Sequence, residues 1–342
     1  MSILTVAVPS YNAAAYLERC LASLIPFESA LEIIIVNDGS TDDTGKIAQA
    51  YADRHDFVKV IHKENGGHGS GINAALEIAT SPYFKVVDSD DRVDPAAMKN
   101  VLDFLSSALK APNPIDMLIT NYVCEVHHPD GEITYAPVRF NTVFAEHRIL
   151  QWEDLKRMRF NQLIQMHTLI YRTELLQKLP LVLPEKVYYE DNIYAFKPLV
   201  QVKRFAYLDV NLYLYYIGRP DQSVSFNSMI KNANMTVTVT EQMICAYRLS
   251  EMTLPKKLKQ YLIRHLTRMV AMCILSDSLQ KNVDLSDRVH ALAQLAKKQD
   301  IETYRRIYRH PMILAQKAFR VLGPRVNHRF YQWLSKAFHF GT

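Results

Sequence analysis

Three carboxylates fall within four residues at Asp88-Ser89-Asp90-Asp91, directly after an apolar run over 83–87. Packed so closely, they repel one another unless a cation lies among them. Hard divalent ions such as Mg²⁺ and Mn²⁺ take oxygen ligands, and one or two carboxylates plus the phosphates of a substrate commonly hold them. The cluster therefore suits a metal and a phosphate-bearing substrate. It also suits a plain structural role: Asp94-Pro95 is a good start for a helix over about 95–108, and Asp90 and Asp91 can belong to the turn before it. A second acidic pair, Glu190-Asp191, precedes Ile193, Phe196, Leu199 and Val200, which suit a short helix with an acidic N-terminus.

The elements that must position these residues repeat along the chain. Residues 3–8 are an apolar, β-branched run ending in Pro9-Ser10-Tyr11-Asn12, after which Ala14, Leu17, Leu21 and Leu24 recur at helical spacing. Residues 31–36 form a second run ending in Asn37-Asp38-Gly39-Ser40-Thr41-Asp42, with Thr41 or Asp42 expected to cap a helix reaching about residue 52. The third run, 57–61, leads into Asn65-Gly66-Gly67-His68-Gly69-Ser70-Gly71 and a helix over about 72–79, and the fourth ends at the acidic cluster. Short strands alternating with helices predict a parallel sheet covered on both faces, and such sheets bind ligands outside the carboxyl ends of their strands. All four polar loops fall at that edge. Asp38-Gly39 also reads as a simple turn. The glycine stretch brings backbone N–H groups within reach of a phosphate or ribose, but its spacing and its place after the third strand are not those of a dinucleotide fingerprint.

At these residues the chain resembles the family 2 glycosyltransferases, whose nucleotide-sugar-binding fold is called GT-A. The resemblance rests on Val8-Pro9-Ser10-Tyr11-Asn12, Val36 through Asp42, Asn65-Gly66-Gly67, Asn73, Asp88-Ser89-Asp90-Asp91 and Glu190-Asp191, and it spans about residues 1–216. It implies an α/β, Rossmann-like mixed sheet flanked by helices. It also implies a UDP-sugar donor, with Asp38 on the uracil or ribose and Pro9, Ser10, Tyr11 and Asn12 lining the base pocket. On the donor side stand Gly67, His68, Asn73, Asp88 and Ser89, with Asp88 on the ribose; Asp90 and Asp91 are the metal-side candidates for Mn²⁺ or Mg²⁺. Asp191 is implied to be the general base that takes the acceptor hydroxyl's proton as that oxygen attacks and inverts the anomeric carbon, with Glu190 beside it on the acceptor side. Tyr188, Tyr189 and Tyr194 would suit a sugar-binding wall or an ordinary core. Arg219, in Gly218-Arg219-Pro220-Asp221, is the candidate diphosphate ligand. One departure stands out: the family commonly carries Arg just before the asparagine matching Asn73, and here Ile72 occupies that place. A rival reading is a catalytically silent relative that binds nucleotide-sugar as a subunit of a transferase complex. Another is a sugar nucleotidyltransferase, which would need a glycine-rich loop directly after the first strand.

Elsewhere the reading is thinner. A strand is expected near 116–120, a hairpin around Pro129-Asp130-Gly131, two strands over 205–208 and 212–217, and an exposed, functionless pair at His127-His128. The 342 residues, 49% apolar and 22% charged, suit two domains, here 1–225 for the catalytic domain and 226–342 for a smaller, mainly helical one. In the latter Leu258, Leu262, Leu266 and Met269 are periodic, while residues 236–240 also read as strand. Cys20, Cys124, Cys245 and Cys273 have no metal spacing, which suits buried thiols in a reduced cytoplasmic protein, and neither a signal sequence nor a membrane span is expected. Residues 241–342 carry 18 Lys and Arg against 7 Asp and Glu, a balance of +11, whereas residues 1–240 carry 22 against 28, or −6. Phe330, Trp333, Leu334, Ala337 and Phe338 fall on one helical face with Arg329, Gln332 and Lys336 opposite, so residues 303–342 suit either an anionic membrane surface or packing on protein, including a second copy of the chain. Nucleic acid is not expected, because no binding motif accompanies the charge. Peripheral attachment to the inner face of a membrane would fit an acceptor that is a glycan or lipid-linked glycan in cell-surface polysaccharide synthesis.

Overall fold

Strands β1 (Leu4–Ser10) and β2 (Leu31–Asp38) are buried along their whole length, which is why both read as unbroken apolar runs rather than alternating ones. Helices α1 (Leu17–Ala22), α2 (Thr44–Ala52) and α3 (His68–Ile78) alternate with β3 (Val58–Lys63) and β4 (Tyr83–Val86), as the repeated strand–loop–helix pattern predicts. Then follow β5 (Arg92–Val93), α4 (Pro95–Leu109), β6 (Met117–His127), β7 (Ile133–Val138), β8 (Leu169–Arg172), α5 (Thr173–Lys178), α6 (Asp191–Tyr194) and β9 (Phe205–Ile217). The computed structural model describes residues 2–128, 130–146, 148–159, 162–218, 226–280 and 282–321.

Among these residues one sheet runs in the order β3-β2-β1-β4-β8-β6-β9-β5, with β7 paired to β6. The first four strands are parallel. Beyond them β8 lies antiparallel to both β4 and β6, and β5 antiparallel to β9, so the sheet is mixed rather than parallel throughout. Val6, Val8, Ile33 and Ile35 share a core with Leu17 and Leu21 of α1, Ala48 of α2 and Met98, Val101 and Leu105 of α4. The intervening Ala7, Ile34 and Val36 are equally buried on the opposite face, where α3 packs on β1 and β2. Burying each such Val or Ile contributes about 1.5–3 kcal/mol.

Four local expectations are corrected. Helix α3 starts at His68, not near residue 72, because Gly69 and Gly71 are needed inside it: a Cβ on Gly69 would lie 2.8 Å from the Pro184 carbonyl oxygen, and one on Gly71 would lie 3.0 Å from Pro9 Cβ. Residues 205–217 are one strand; the Asp209 carboxylate that interrupts the apolar run is satisfied by Asn121, Tyr207 and Asn141, at 2.6, 2.9 and 3.0 Å. Neither Thr41 nor Asp42 is the N-cap of α2; Asp43 holds that place without a side-chain capping bond, while Asp42 accepts from Thr44 and from Ala14 N, tying the first two loops together. His127 is only partly exposed, for its Nε2 lies 2.8 Å from Glu125 Oε1 and its ring 4.4 Å from that of Tyr216, whereas His128 is exposed. Asp94 caps α4 through Ala97 N, as expected.

The described chain divides into two compact units, 1–158 with 164–218, and 159–163 with 219–342. The second holds α7 (Phe226–Lys231), α8 (Ala233–Ala246), α9 (Lys256–Gln280), α10 (Val283–Gln299), α11 (Ile301–Tyr308) and α12 (Pro311–Val321). Thr236 and Thr240 lie within α8, where the Thr240 hydroxyl donates to the Thr236 carbonyl one turn back, so the strand alternative fails. Leu258, Leu262, Leu266 and Met269 are buried, as their period predicts. All four cysteines are free, and Cys245 is exposed rather than buried. No helix among the described residues is long and apolar enough to cross a membrane. The apolar face from Phe330 to Phe338 lies outside the described residues.

One buried acid braces the edge of the sheet remote from the polar loops. Glu32 on β2 accepts from Thr5 Oγ1 of β1, Lys59 Nζ of β3 and both Thr80 N and Thr80 Oγ1 ahead of β4. Burial alone would raise its pKa, but these donors, led by Lys59, hold it down at about 2 against an ordinary 4.5. Glu32→Gln should lower stability by about 2 kcal/mol at neutral pH. Since the folded pKa is the lower one, the wild-type advantage is complete above pH 4.5 and fades as pH falls toward about 2, which denaturant melts across that range will test.

Candidate active site

The carboxyl ends of β1 to β4 place their four polar loops along one edge of the sheet. Asp38, at the end of β2, is buried and organises the glycine turn: Oδ1 accepts from Lys63 Nζ at 2.8 Å and Gly66 N at 2.9 Å, and Oδ2 from Gly67 N at 2.7 Å. Gly39 and Gly67 both need positive φ, at 71° and 84°. Asn12 (φ 47°) joins the first loop to the second by accepting from Thr41 N at 2.8 Å. Ser10 is buried with its hydroxyl on the Val8 carbonyl, whereas Tyr11 is 53% exposed and free to meet a flat ligand. Asn73 of α3 clamps the backbone of Leu183 from both sides, at 2.9 and 3.0 Å, and thereby holds the segment that leads to Glu190.

The acidic turn is the electrostatic centre. Asp91 is wholly buried; Oδ2 accepts from the Tyr213 hydroxyl and Oδ1 from Tyr216 N at 2.7 Å, both on β9. The same Tyr213 hydroxyl accepts from Asp88 N at 3.1 Å. Burial, then the charges of Asp90 and Asp88, push the Asp91 carboxyl well above its ordinary range against those two donors. Asp88 moves the other way: burial would raise it, but the adjoining His68 and His167 hold it low. Arg19 of α1 donates to the Asp90 carbonyl at 2.8 Å while its guanidinium lies over the Tyr216 ring, so the turn is fixed by its backbone as well. Ser89 and Asp90 are buried beside it.

His68, first residue of α3, links this turn to the second acidic pair. Its Nε2 lies 2.8 Å from Asp88 Oδ1 and its Nδ1 2.6 Å from Glu190 Oε1. Burial lowers the imidazole's pKa, but Asp88 and Glu190 outweigh it and hold the ring well above its ordinary 6.5, so it stands as an imidazolium with both N–H groups donating. Glu190 is 3% exposed and occupies the N-cap position of α6 without capping it. Asp191 opens the helix, and burial followed by the Glu190 charge raises its carboxyl from 3.8 to about 7. Tyr188 is half exposed near this pair, whereas Tyr194 is buried and packs edge-on against Tyr171, so it belongs to the core and not to a sugar wall.

Three participants escaped the sequence reading. Lys85 is buried in β4 and burial lowers it to about 7; its Nζ donates to the His167 carbonyl at 2.8 Å. Only a lysine inside an apolar run signalled it. His167 lies in a single helical turn (Met166–Thr168) ahead of β8, and burial, joined by the Lys85 and His68 charges, holds it near 4 despite Asp88. Together with Asp88 and Asp91 it offers ligand atoms all within 4.8 Å of one another, a spacing that one divalent ion can draw together. Asp88 thus stands in this group although the sequence reading assigned it to the ribose, and Asp90, expected on the metal, is not part of it. The third participant, Tyr213, had no local signal at all. Arg219 lies outside the described residues.

Residues 5–111 match the family described as Glycosyl transferase family 2. An uncharacterised glycosyltransferase of Bacillus subtilis, EpsJ, is 29% identical over 216 residues, which cover 62% of this chain and 60% of that protein. YibD of Escherichia coli, also an uncharacterised glycosyltransferase, is 28% identical over 235 residues, covering 68% and 66%. The chain thus spans about 60–66% of the length of these relatives. Residues 1–349 of TarS from S. aureus, crystallised alone and with UDP-GlcNAc, have the same fold, with a TM-score of 0.67 without ligand, 21% identity, and coverage of 97% of this chain and 92% of that one. The mixed sheet and its flanking helices are the GT-A fold, and residues 5–111 within it carry the match to glycosyltransferase family 2.

Proposed function

We propose that the protein is an inverting glycosyltransferase that moves a hexosyl or N-acetylhexosaminyl unit from a UDP-sugar to a hydroxyl of a glycan or lipid-linked glycan, and that residues 1–225 carry the catalysis. The observation that carries this reading is Asp191, a carboxylate of raised proton affinity joined through Glu190 and His68 to the acidic turn. Two relatives support the donor class: TarS is crystallised with UDP-GlcNAc, and the chondroitin synthase of Escherichia coli is 36% identical over 102 residues, 30% of this chain and 15% of that one.

In this reading Asp191 accepts the proton of the acceptor hydroxyl while that oxygen bonds to the anomeric carbon and the carbon–oxygen bond to the diphosphate breaks on the opposite face. Glu190, held by His68, keeps the acceptor side ordered and maintains the proton affinity of its neighbour. The loops at Pro9–Asn12 and Asp38, with Gly67, His68, Asn73, Asp88 and Ser89, would form the donor side, and Arg219 is the candidate ligand of the diphosphate. A divalent metal at the acidic turn would offset the negative charge that grows on the leaving diphosphate, and the carboxylates of that turn, Asp91 among them, would hold it. A mannosyltransferase of Pyrobaculum calidifontis, crystallised with GDP-Man and Mn²⁺, supports a metal in this fold, at 16% identity and a TM-score of 0.50 over 93% of this chain and 86% of that one. The basic residues 303–342 would serve attachment to an anionic membrane surface at its cytoplasmic face, in cell-surface polysaccharide synthesis.

Two measurements test this. Calorimetric titration of UDP, with GDP as control, should show binding that depends on Mn²⁺ and is lost in Asp91→Ala; no nucleotide binding under any condition would instead favour a silent, partner-binding role. Asp191→Asn should leave UDP affinity unchanged and abolish transfer, while wild-type kcat/KM should rise about tenfold per pH unit below the Asp191 pKa of about 7 and level off above it. A flat profile, or near wild-type turnover in the variant, would remove Asp191 from the role of base.

A further inference from the structure

The metal reading leaves one buried ring without a role. His167 is only 8% exposed. Its ring packs among three tyrosines, with centroids at 4.7 Å from Tyr215, 4.8 Å from Tyr213 and 5.5 Å from Tyr122, and its backbone carbonyl accepts from Lys85. The nitrogens are treated differently. Nδ1 is buried with no hydrogen-bond partner, and Nε2 faces Asp88 Oδ2 at 3.9 Å, too far for a hydrogen bond. Buried polar atoms are ordinarily paired, and a histidine packed this firmly with neither nitrogen bonded to protein asks for a ligand. Two atoms bound to one ion at about 2.1 Å each can stand up to roughly 4 Å apart, so the separation from Asp88 fits a shared cation and fits no direct contact.

We propose that His167 is a nitrogen ligand of the divalent ion, completing a set with Asp88 and Asp91, and that it makes the site prefer Mn²⁺ to Mg²⁺. The proposal rests on the metal-dependent reading above. Mg²⁺ strongly favours oxygen, whereas first-row transition ions accept imidazole readily, so one nitrogen among oxygens discriminates between them. The ligand set also differs from what the motif alone offers: the nitrogen comes from a separate segment, 76 residues beyond Asp91, and its place is set by β8, the antiparallel neighbour of β4, not by the acidic turn itself.

The test is pulsed electron paramagnetic resonance on the full chain with Mn²⁺ and UDP. The wild type should show ¹⁴N modulation from a coordinated histidine. His68→Gln should keep it, which separates His167 from the other imidazole beside Asp88, and His167→Gln should lose it. In titrations His167→Gln should weaken Mn²⁺ binding about tenfold or more while changing Mg²⁺ binding by less than about threefold. Bound Mn²⁺ without nitrogen modulation, or modulation lost in His68→Gln but kept in His167→Gln, would overturn the assignment and leave metal dependence standing. No Mn²⁺ binding with or without UDP would overturn both. Should His167→Gln fail to fold, the wild-type and His68→Gln spectra decide the matter by themselves.

Discussion

Asp88 and Asp91 lie close together in the interior, where two negative charges cost far more than in water. The rest of the site can be read as the supply of what that pair needs. His68 brings a positive charge from the start of α3, the Tyr213 hydroxyl and Tyr216 N come from β9, and Arg19 reaches across from α1 to the backbone of Asp90. These partners belong to elements far apart in the chain, so the turn is held only when the sheet is complete. The supply is also incomplete. Asp91 retains a proton affinity well above that of an ordinary carboxylate, which is the electrostatic form of a demand for one more cation.

The loops around the turn are built by polar side chains that bind other loops. Asp38 spends both oxygens on Lys63 and the glycine turn, and Asn73 spends both ends of its amide on Leu183. Their effect on a ligand is therefore largely through shape: they fix where Gly66, Gly67 and the segment before Glu190 run. The glycines make that closure feasible. At Gly67 a Cβ would stand 2.8 Å from Lys186 N, and at Gly69 it would stand 2.9 Å from Glu190 Cγ, so side chains there would drive the acceptor-side segment off α3.

The parts legible in the sequence were those whose signal is local. The strands β1 to β4 declare themselves by continuous apolar runs, and the order of the loops at their ends follows from strand–helix alternation. The parts that stayed hidden depend on partners distant in the chain. Nothing near Tyr213 announces that its hydroxyl meets two aspartates more than a hundred residues earlier, and His167 stands among Gln165, Met166 and Thr168 with no ligand spacing. The start of α3 was misjudged because glycine lowers helix propensity by about 1 kcal/mol, a cost outweighed here by close packing against Pro9 and Pro184. In β9 the polar Asp209 looked like a break because its three donors lie on other segments or are reached only once the sheet forms.

His68 gives the two halves of the site a common member. Its two nitrogens are both occupied, one by Asp88 and one by Glu190, so a cation or ligand that draws the Asp88 carboxylate toward itself weakens one of the two contacts that keep the ring charged. Asp191 feels all three groups: beyond burial, the Glu190 and Asp88 charges raise its proton affinity and the His68 charge lowers it. The short path through His68 thus joins the acidic turn to the helix that begins at Asp191.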